Sequence, residues 1–290
     1  MTRSLDPYGA IDRQRRPEGY VGHLEARGRT PAQTRLRRRF LRFARIRGGQ
    51  RVLEIGSGTG IVTRDAAHLV GPRGQVVGVD PSRVMTRAAR RLARRAGFGP
   101  SLVHAVGDGA RLRFAADRFD RVFAVTVLLH VRDSAAILRE MVRLTRPGGI
   151  VAVQDQDFGA LALDHPDRVL TERIMDGVVS RMYPDPFSGR TIYGRLVRLG
   201  LRDVRLAVDV FQDTKLEPYT RAMLSRRAEN AVRLGITGRP VARGHRAAGR
   251  HRPVRLHAQL LRRPRRQAPE DELSLPFCRV PYLYTGFTHQ

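Results

Sequence analysis

The chain has 290 residues, 41% of them hydrophobic, which suffices for one sizeable core with additions. Its formal net charge of +27 comes from 54 basic residues, of which only Lys215 is a lysine and 53 are arginines; that ratio marks a GC-rich genome, so charge alone does not name nucleic acid as the partner. One cysteine, Cys278, excludes an internal disulfide, and the lack of an apolar leader or of ~18 uninterrupted apolar residues predicts a soluble, cytoplasmic protein without a membrane span.

Residues 1 to 30 read as irregular or short helical cover, followed by a helix to about Ile46 that stops at Gly48 and Gly49. In RLRRRFLRFARIR, Leu36, Phe40 and Phe43 share one face while Arg38, Arg42 and Arg45 point away, the pattern of a solvated helix face. Strands and helices then alternate: strand 51 to 55, helix 60 to 70, strand 75 to 80, helix 82 to 96, strands 102 to 106 and 119 to 127, helix 133 to 145, strand 149 to 155. This alternation predicts an α/β, doubly wound and mostly parallel sheet. Helices over 166 to 181 and 188 to 199, a strand near 203 to 211 and a helix from 216 to 234 follow.

The most informative stretch is VLEIGSGTG, Val52 to Gly60, with Asp80 closing the next apolar run, VVGVD. A strand entering a glycine-rich turn and a helix, with a carboxylate on the neighbouring strand, is how an open α/β sheet holds a nucleoside-bearing cofactor. The dinucleotide fingerprint G-x-G-x-x-G is not met, because after Gly56 and Gly58 the next glycine is Gly60 and position 61 is Ile. Glu54 lies inside the strand, where a buried carboxylate is costly unless a cation or donor meets it. An ammonium group on a ligand would do so.

E-x-G-x-G-x-G with an acid ending the second strand resembles the class I S-adenosylmethionine-dependent methyltransferases. GDGARLRF with Asp108, FDRVFAVTVLLHV and LREMVRLTRPGGIVAVQD resemble that family's later elements in the right order, over roughly residues 35 to 212. The resemblance implies a Rossmann-like fold with a seven-stranded sheet, whose last strand is antiparallel and near the C-terminus, and S-adenosyl-L-methionine as cofactor. It divides the chain into a lid or cover (1–34), the methyltransferase domain (35–236) and an atypical tail (237–290).

By this resemblance Gly56, Ser57, Gly58, Thr59 and Gly60 surround the methionine part of the cofactor, and Glu54 attracts its amino group. Asp80, followed by Pro81, Ser82 and Met85, offers two carboxylate oxygens to the ribose hydroxyls. Asp108, Gly109 and Ala110 meet the adenine, and Thr126 lies at the end of the fourth strand. Local structure offers other roles: Asp80 as a helix cap, Asp108 as a turn residue. His130 is the candidate base, with capping of the loop near Asp133 as its alternative, and Asp155 and Asp157 stand on the same rim. Tyr8 and Tyr20 belong to the lid or to the surface.

Residues 237 to 268 hold ten arginines and no acid, lysine or aromatic, so they build no amphipathic face. A reading-frame slip near Thr237 accounts for that composition; a disordered basic tail and a solvated linker are the alternatives. The run from Leu273, LSLPFCRVPYLYTG, alternates like a strand, although Pro276 and Pro281 count against a central position.

No Asn/Asp-Pro-Pro-aromatic motif follows the fourth strand, which reads TVLLHV, and Cys278 is poorly placed as a nucleophile on cytosine. His245, His251 and His257 are six apart and lack zinc-ligand spacing, so no metal is expected. The favoured reading is methyl transfer to a small molecule. Its rivals are an RNA methyltransferase using the basic surface, a non-enzymatic basic nucleic-acid-binding protein, and a nicotinamide enzyme, the last disfavoured by Ile61 and Glu54.

Overall fold

A computed structural model describes residues 5–213 and 216–237 and the backbone of 278–279 and 283–289. A 3-10 segment, Tyr8–Arg13, leads to helices α1 (Glu18–Arg29) and α2 (Pro31–Phe43). α2 is started by Thr30, whose hydroxyl accepts from the Gln33 amide (3.3 Å), with Pro31 in the first turn. It stops at Phe43 rather than Ile46 because Arg45 adopts a left-handed conformation (φ 52°).

The alternating core is β1 (Arg51–Ile55), α3 (Ile61–Val70), β2 (Gln75–Asp80), α4 (Arg83–Arg95), β3 (Leu102–Val106), β4 (Phe119–Val125), α5 (Ser134–Leu144) and β5 (Thr145–Gln156). Next come β6 (Ala162–Leu163), α6 (Arg168–Met182), α7 (Ser188–Arg198), β7 (Arg202–Asp209), β8 (Gln212–Asp213) and α8 (Pro218–Arg233), then β9 (Cys278–Arg279) and β10 (Leu283–His289). Strand order in the main sheet is β3-β2-β1-β4-β5-β10-β7. β1 to β5 pair in parallel, and β10 runs antiparallel between β5 and β7. β6, β9 and β8 form a small separate ribbon.

Period-two alternation sends side chains to two cores, which is why helices cover both faces. Leu53, Ile55, Val77, Val79, Val122, Ala124, Val151 and Val153 share one cluster with Ile137, Leu138 and Met141 of α5 and Ile192 and Leu196 of α7. Their neighbours Val52, Val76, Phe123, Ile150 and Ala152 face Phe40 and Leu41 of α2, Ala66, Ala67 and Val70 of α3, and Ala93 of α4. On α4, Met85, Thr86, Ala88, Ala89 and Ala93 are buried while Arg87, Arg91, Arg94 and Arg95 are exposed, so part of the charge excess is a solvated helix face.

Among the described residues no helix is long and apolar enough to cross a membrane, and no group of three His, Cys, Asp or Glu side chains suits a metal. The arginine-rich stretch beyond Thr237, including His245, His251 and His257, lies outside the described residues, as do Pro276 and Pro281.

Candidate cofactor and acceptor site

Strand order reverses at β1, whose neighbours β2 and β4 connect in opposite directions, and a crevice opens there beyond the carboxyl ends of the strands. It is a cavity of about 800 Å³ lined by the glycine loop, the ends of β2 and β4, and the N-terminal segment from Tyr8 to Gln14. Glu54, Gly56, Ser57, Gly58, Thr59, Asp80, Pro81, Ser82, Met85, Thr126 and His130 all line it.

The loop is glycine-rich for two reasons. Gly56, Gly58 and Gly60 all have positive φ (73°, 52° and 76°), a region that costs other residues. The space is also taken: a Cβ on Gly56 would stand 2.4 Å from Val127 Cγ2, and one on Gly60 2.6 Å from His104 Nε2. His104 therefore props the loop from beneath. Its Nε2 pairs with Thr63 Oγ1 (2.9 Å), and burial, followed by the charges of Arg64 and Arg90, lowers its pKa to about 4.

Asp80 accepts the Gly58 amide on one carboxylate oxygen (2.8 Å) and the Ser82 amide on the other (2.8 Å). Each oxygen keeps a further acceptor direction. Burial raises the Asp80 pKa despite these bonds. The cap of α4 is Ser82, whose hydroxyl accepts from Met85 N (3.1 Å), so the helix start does not use Asp80 for that purpose.

Glu54 is 1% exposed, and its Oε2 has no hydrogen-bond partner among the described residues. Its pKa is raised well above the ordinary range, first by burial and then by the nearby charge of Asp80. A buried carboxylate oxygen left without a donor is unfavourable unless a cation completes it. The chemistry of this donor set fits S-adenosylmethionine: an unmet acid for an ammonium, a bare-backbone cradle for a chain, and a paired-acceptor carboxylate for a diol.

Six other expected residues stand outside the lining. Asp108 is exposed and accepts from Ala110 N (3.0 Å), the turn role, while Gly109 packs its Cα against Ile55; none of Asp108, Gly109 and Ala110 lines the cavity. Gly60 supports the loop from behind. Asp155 is also outside the lining and fully buried: its oxygens accept from Leu129 N (2.9 Å), Gln156 N (2.9 Å) and Ser188 Oγ (3.0 Å). It fixes the loop after β4, and burial pushes its pKa up to about 6. Asp157 is held by Arg190 (2.6 and 2.9 Å).

His130, in a 3-10 turn (Leu128–His130), faces the cavity, and its Nδ1 lies 2.6 Å from Asp6 Oδ2. Thr126, just before that turn, has φ 58°, a costly conformation for a β-branched residue and one that strained functional loops tolerate. Tyr8 packs its ring 5.2 Å from His130 and 5.7 Å from Tyr20; of the two tyrosines, only Tyr8 lines the cavity. Burial raises the Tyr8 pKa, and it pushes that of Tyr183, behind His130, up to about 12.

Residues without a local signature brace or complete the wall. Glu25 of α1 accepts from Thr59 Oγ1 (2.6 Å) and, on its two carboxylate oxygens, from Arg64 Nη2 (2.9 and 2.8 Å), clamping the cover onto the glycine loop. Asp6 and Asp12 lie in an N-terminal segment whose local pattern marks neither of them.

Comparison with known proteins agrees on the same region. A family model described as a methyltransferase domain matches residues 53–153. An uncharacterized 37.1 kDa protein in a transposon of Streptomyces fradiae is 29% identical over 222 residues, 74% of this chain and 62% of that protein. The ubiquinone/menaquinone biosynthesis C-methyltransferase UbiE of Pseudomonas fluorescens is 36% identical over 120 residues, 41% of this chain and 47% of that protein. The chain thus spans between about half and three-fifths of these relatives. In fold it is similar to phosphoethanolamine N-methyltransferase 2 of Haemonchus contortus, solved with phosphomonomethylethanolamine and S-adenosylhomocysteine (TM-score 0.55, 22% identity, 80% of this chain and 51% of that one). Motif, strand order and these relatives pick out the same stretch of sequence, so residues 53–153 carry a methyltransferase domain.

Proposed function

We propose that the protein transfers a methyl group from S-adenosylmethionine to a small-molecule acceptor, with His130 as the base. The observation that carries the cofactor half is Glu54: a buried acid with an unmet oxygen beside the glycine cradle and Asp80. On this reading Glu54 holds the amino group, the Gly56–Gly60 loop the methionine chain, and Asp80 the ribose hydroxyls, with Pro81 and Met85 beside the base.

When bound, the cofactor supplies an electrophilic methyl on a sulfonium sulfur. The chain's own task is to hold an acceptor in line and to exclude water, a positioning effect that can reach roughly 10⁵ M in effective molarity. His130, at the β4 rim beside Tyr8, is placed to take a proton from a hydroxyl, amine or acidic carbon, worth about 10² to 10⁴-fold. The relatives named as quinone-biosynthesis C-methyltransferases support a small, planar acceptor.

The test is transfer of labelled methyl to a panel of phenols, quinols and amines. Transfer that falls by about 10² or more in His130→Asn, with S-adenosylhomocysteine binding unchanged, is the expected result. Transfer to RNA alone, weakening steeply with salt, would replace this reading.

A further inference from the structure

We infer that Asp6 is the positioning residue of His130, and that Asp6 to Asp12 form a strap which, by closing over the crevice, sets the tautomer of the base; this rests on the reading of the crevice just proposed. The strap is pinned at two ends. At the acceptor end, Asp6 presents one oxygen to His130 Nδ1 (2.6 Å) and accepts the Tyr8 amide on the other (3.0 Å), with its side chain 1% exposed. At the cofactor end, Asp12 accepts from Ser82 Oγ and from the amides of Arg83 (2.8 Å) and Val84 (3.3 Å), the first turn of α4. Between the pins, Tyr8 packs against the imidazole with the rings tilted by 49°, Gly9 passes close to the His130 carbonyl and Ile11 is buried.

The strap therefore bridges the loop after β4 and the helix after β2, the two places the crevice needs for acceptor and nucleoside. Every residue from Tyr8 to Gln14 lines the cavity, so the strap is one of its walls. Full opening breaks both pins.

The chemical consequence lies in the imidazole. A carboxylate only accepts, so Asp6 requires the proton on Nδ1 and leaves Nε2 bare toward the cavity, the form a base must have. The pins differ in strength: Asp6 is buried, whereas Asp12 is exposed and its bonds to the helix N-terminus are of the kind that exchange readily with water. Asp12 is the end that releases first. A strap of this design puts the base in working form only while the crevice is covered.

The test uses full-length ¹⁵N-labelled protein and long-range ¹H–¹⁵N spectra of the imidazoles, with His130 assigned by its loss in His130→Gln. Wild type should show Nδ1 protonated and Nε2 bare. Asp6→Asn, whose amide can donate to Nδ1, should move the proton to Nε2, and Asp6→Ala, should the amide variant fold poorly, should give mixed tautomers. A merely structural Asp6 would lower the melting temperature and leave the tautomer as it was, which would overturn the proposal. In the second arm, a chase of bound radiolabelled S-adenosylhomocysteine should show release about five- to tenfold faster in Asp12→Ala; an unchanged rate would overturn the strap. If wild type binds no S-adenosylhomocysteine, the cofactor reading and the strap's closing role both fail, while the tautomer arm still decides the role of Asp6.

Discussion

Asp6 and His130 are 124 positions apart in the chain and 2.6 Å apart in the fold. That one contact makes the N-terminal segment part of the site instead of a cover laid over it. Glu25, on α1, does the same for the glycine loop through Thr59 and Arg64. The N-terminal region thus reaches both halves of the crevice, and substitutions there should be felt as changes in binding and chemistry.

Glu54 should trade stability for binding. Its folded-state pKa is raised, so the stability it allows is complete below the ordinary carboxylate pKa and is lost as pH rises through the raised value. Glu54→Gln removes that loss, so the ligand-free variant should melt higher than wild type at pH 8 and gain less at pH 5. Its affinity for S-adenosylhomocysteine should fall at least about tenfold, the worth of one hydrogen bond to a charged group. Melting curves and titration calorimetry check both signs; an unchanged affinity would remove Glu54 from the site.

Two glycine substitutions separate backbone strain from crowding. Gly49 and Gly56 share nearly the same φ (79° and 73°), but a Cβ on Gly49 meets nothing within 4 Å, whereas one on Gly56 meets Val127 at 2.4 Å. Gly49→Ala should cost about 1 kcal/mol and Gly56→Ala about 2–4 kcal/mol in urea unfolding. Equal costs would mean that the Gly56–Val127 approach is unimportant.

Acid should unfold the protein partly through His104. Burial lowers its folded pKa to about 4, so between about pH 6.5 and 4 the unfolded state binds more protons and stability falls as pH falls. For a histidine 3% exposed the full effect is of order 3 kcal/mol. His104→Gln, which keeps a partner for Thr63, should flatten that acid limb in pH-dependent denaturation. A limb of unchanged slope would assign it to other groups.

The main elements were legible because local pattern and tertiary role coincide there. Strands β1, β2 and β3 occupy the spans their apolar alternation predicts, and the glycine loop, Asp80 and Glu54 converge as the motif spacing requires. Where single residues decide, the sequence is silent. α2 ends at Phe43 because Arg45 turns left-handed, and β4 ends at Val125 instead of 127 because Thr126 does the same. Asp108 and Asp155 have the right type at the right edge, yet nearby backbone donors capture their oxygens: Ala110 for one, Leu129 and Gln156 for the other. Asp6 and His104 had no local mark at all, since their partners come from distant turns of the fold.

Titration calorimetry of S-adenosylmethionine into wild type and Asp80→Ala tests the account most directly. Asp80 joins the glycine loop to α4 through Gly58 and Ser82 and would hold the ribose with what remains of its two oxygens. The account predicts one cofactor per chain in wild type and an affinity at least about 100-fold weaker in the variant, the loss of two hydrogen bonds to a charged group. No binding to wild type, or equal binding to Asp80→Ala, would contradict it.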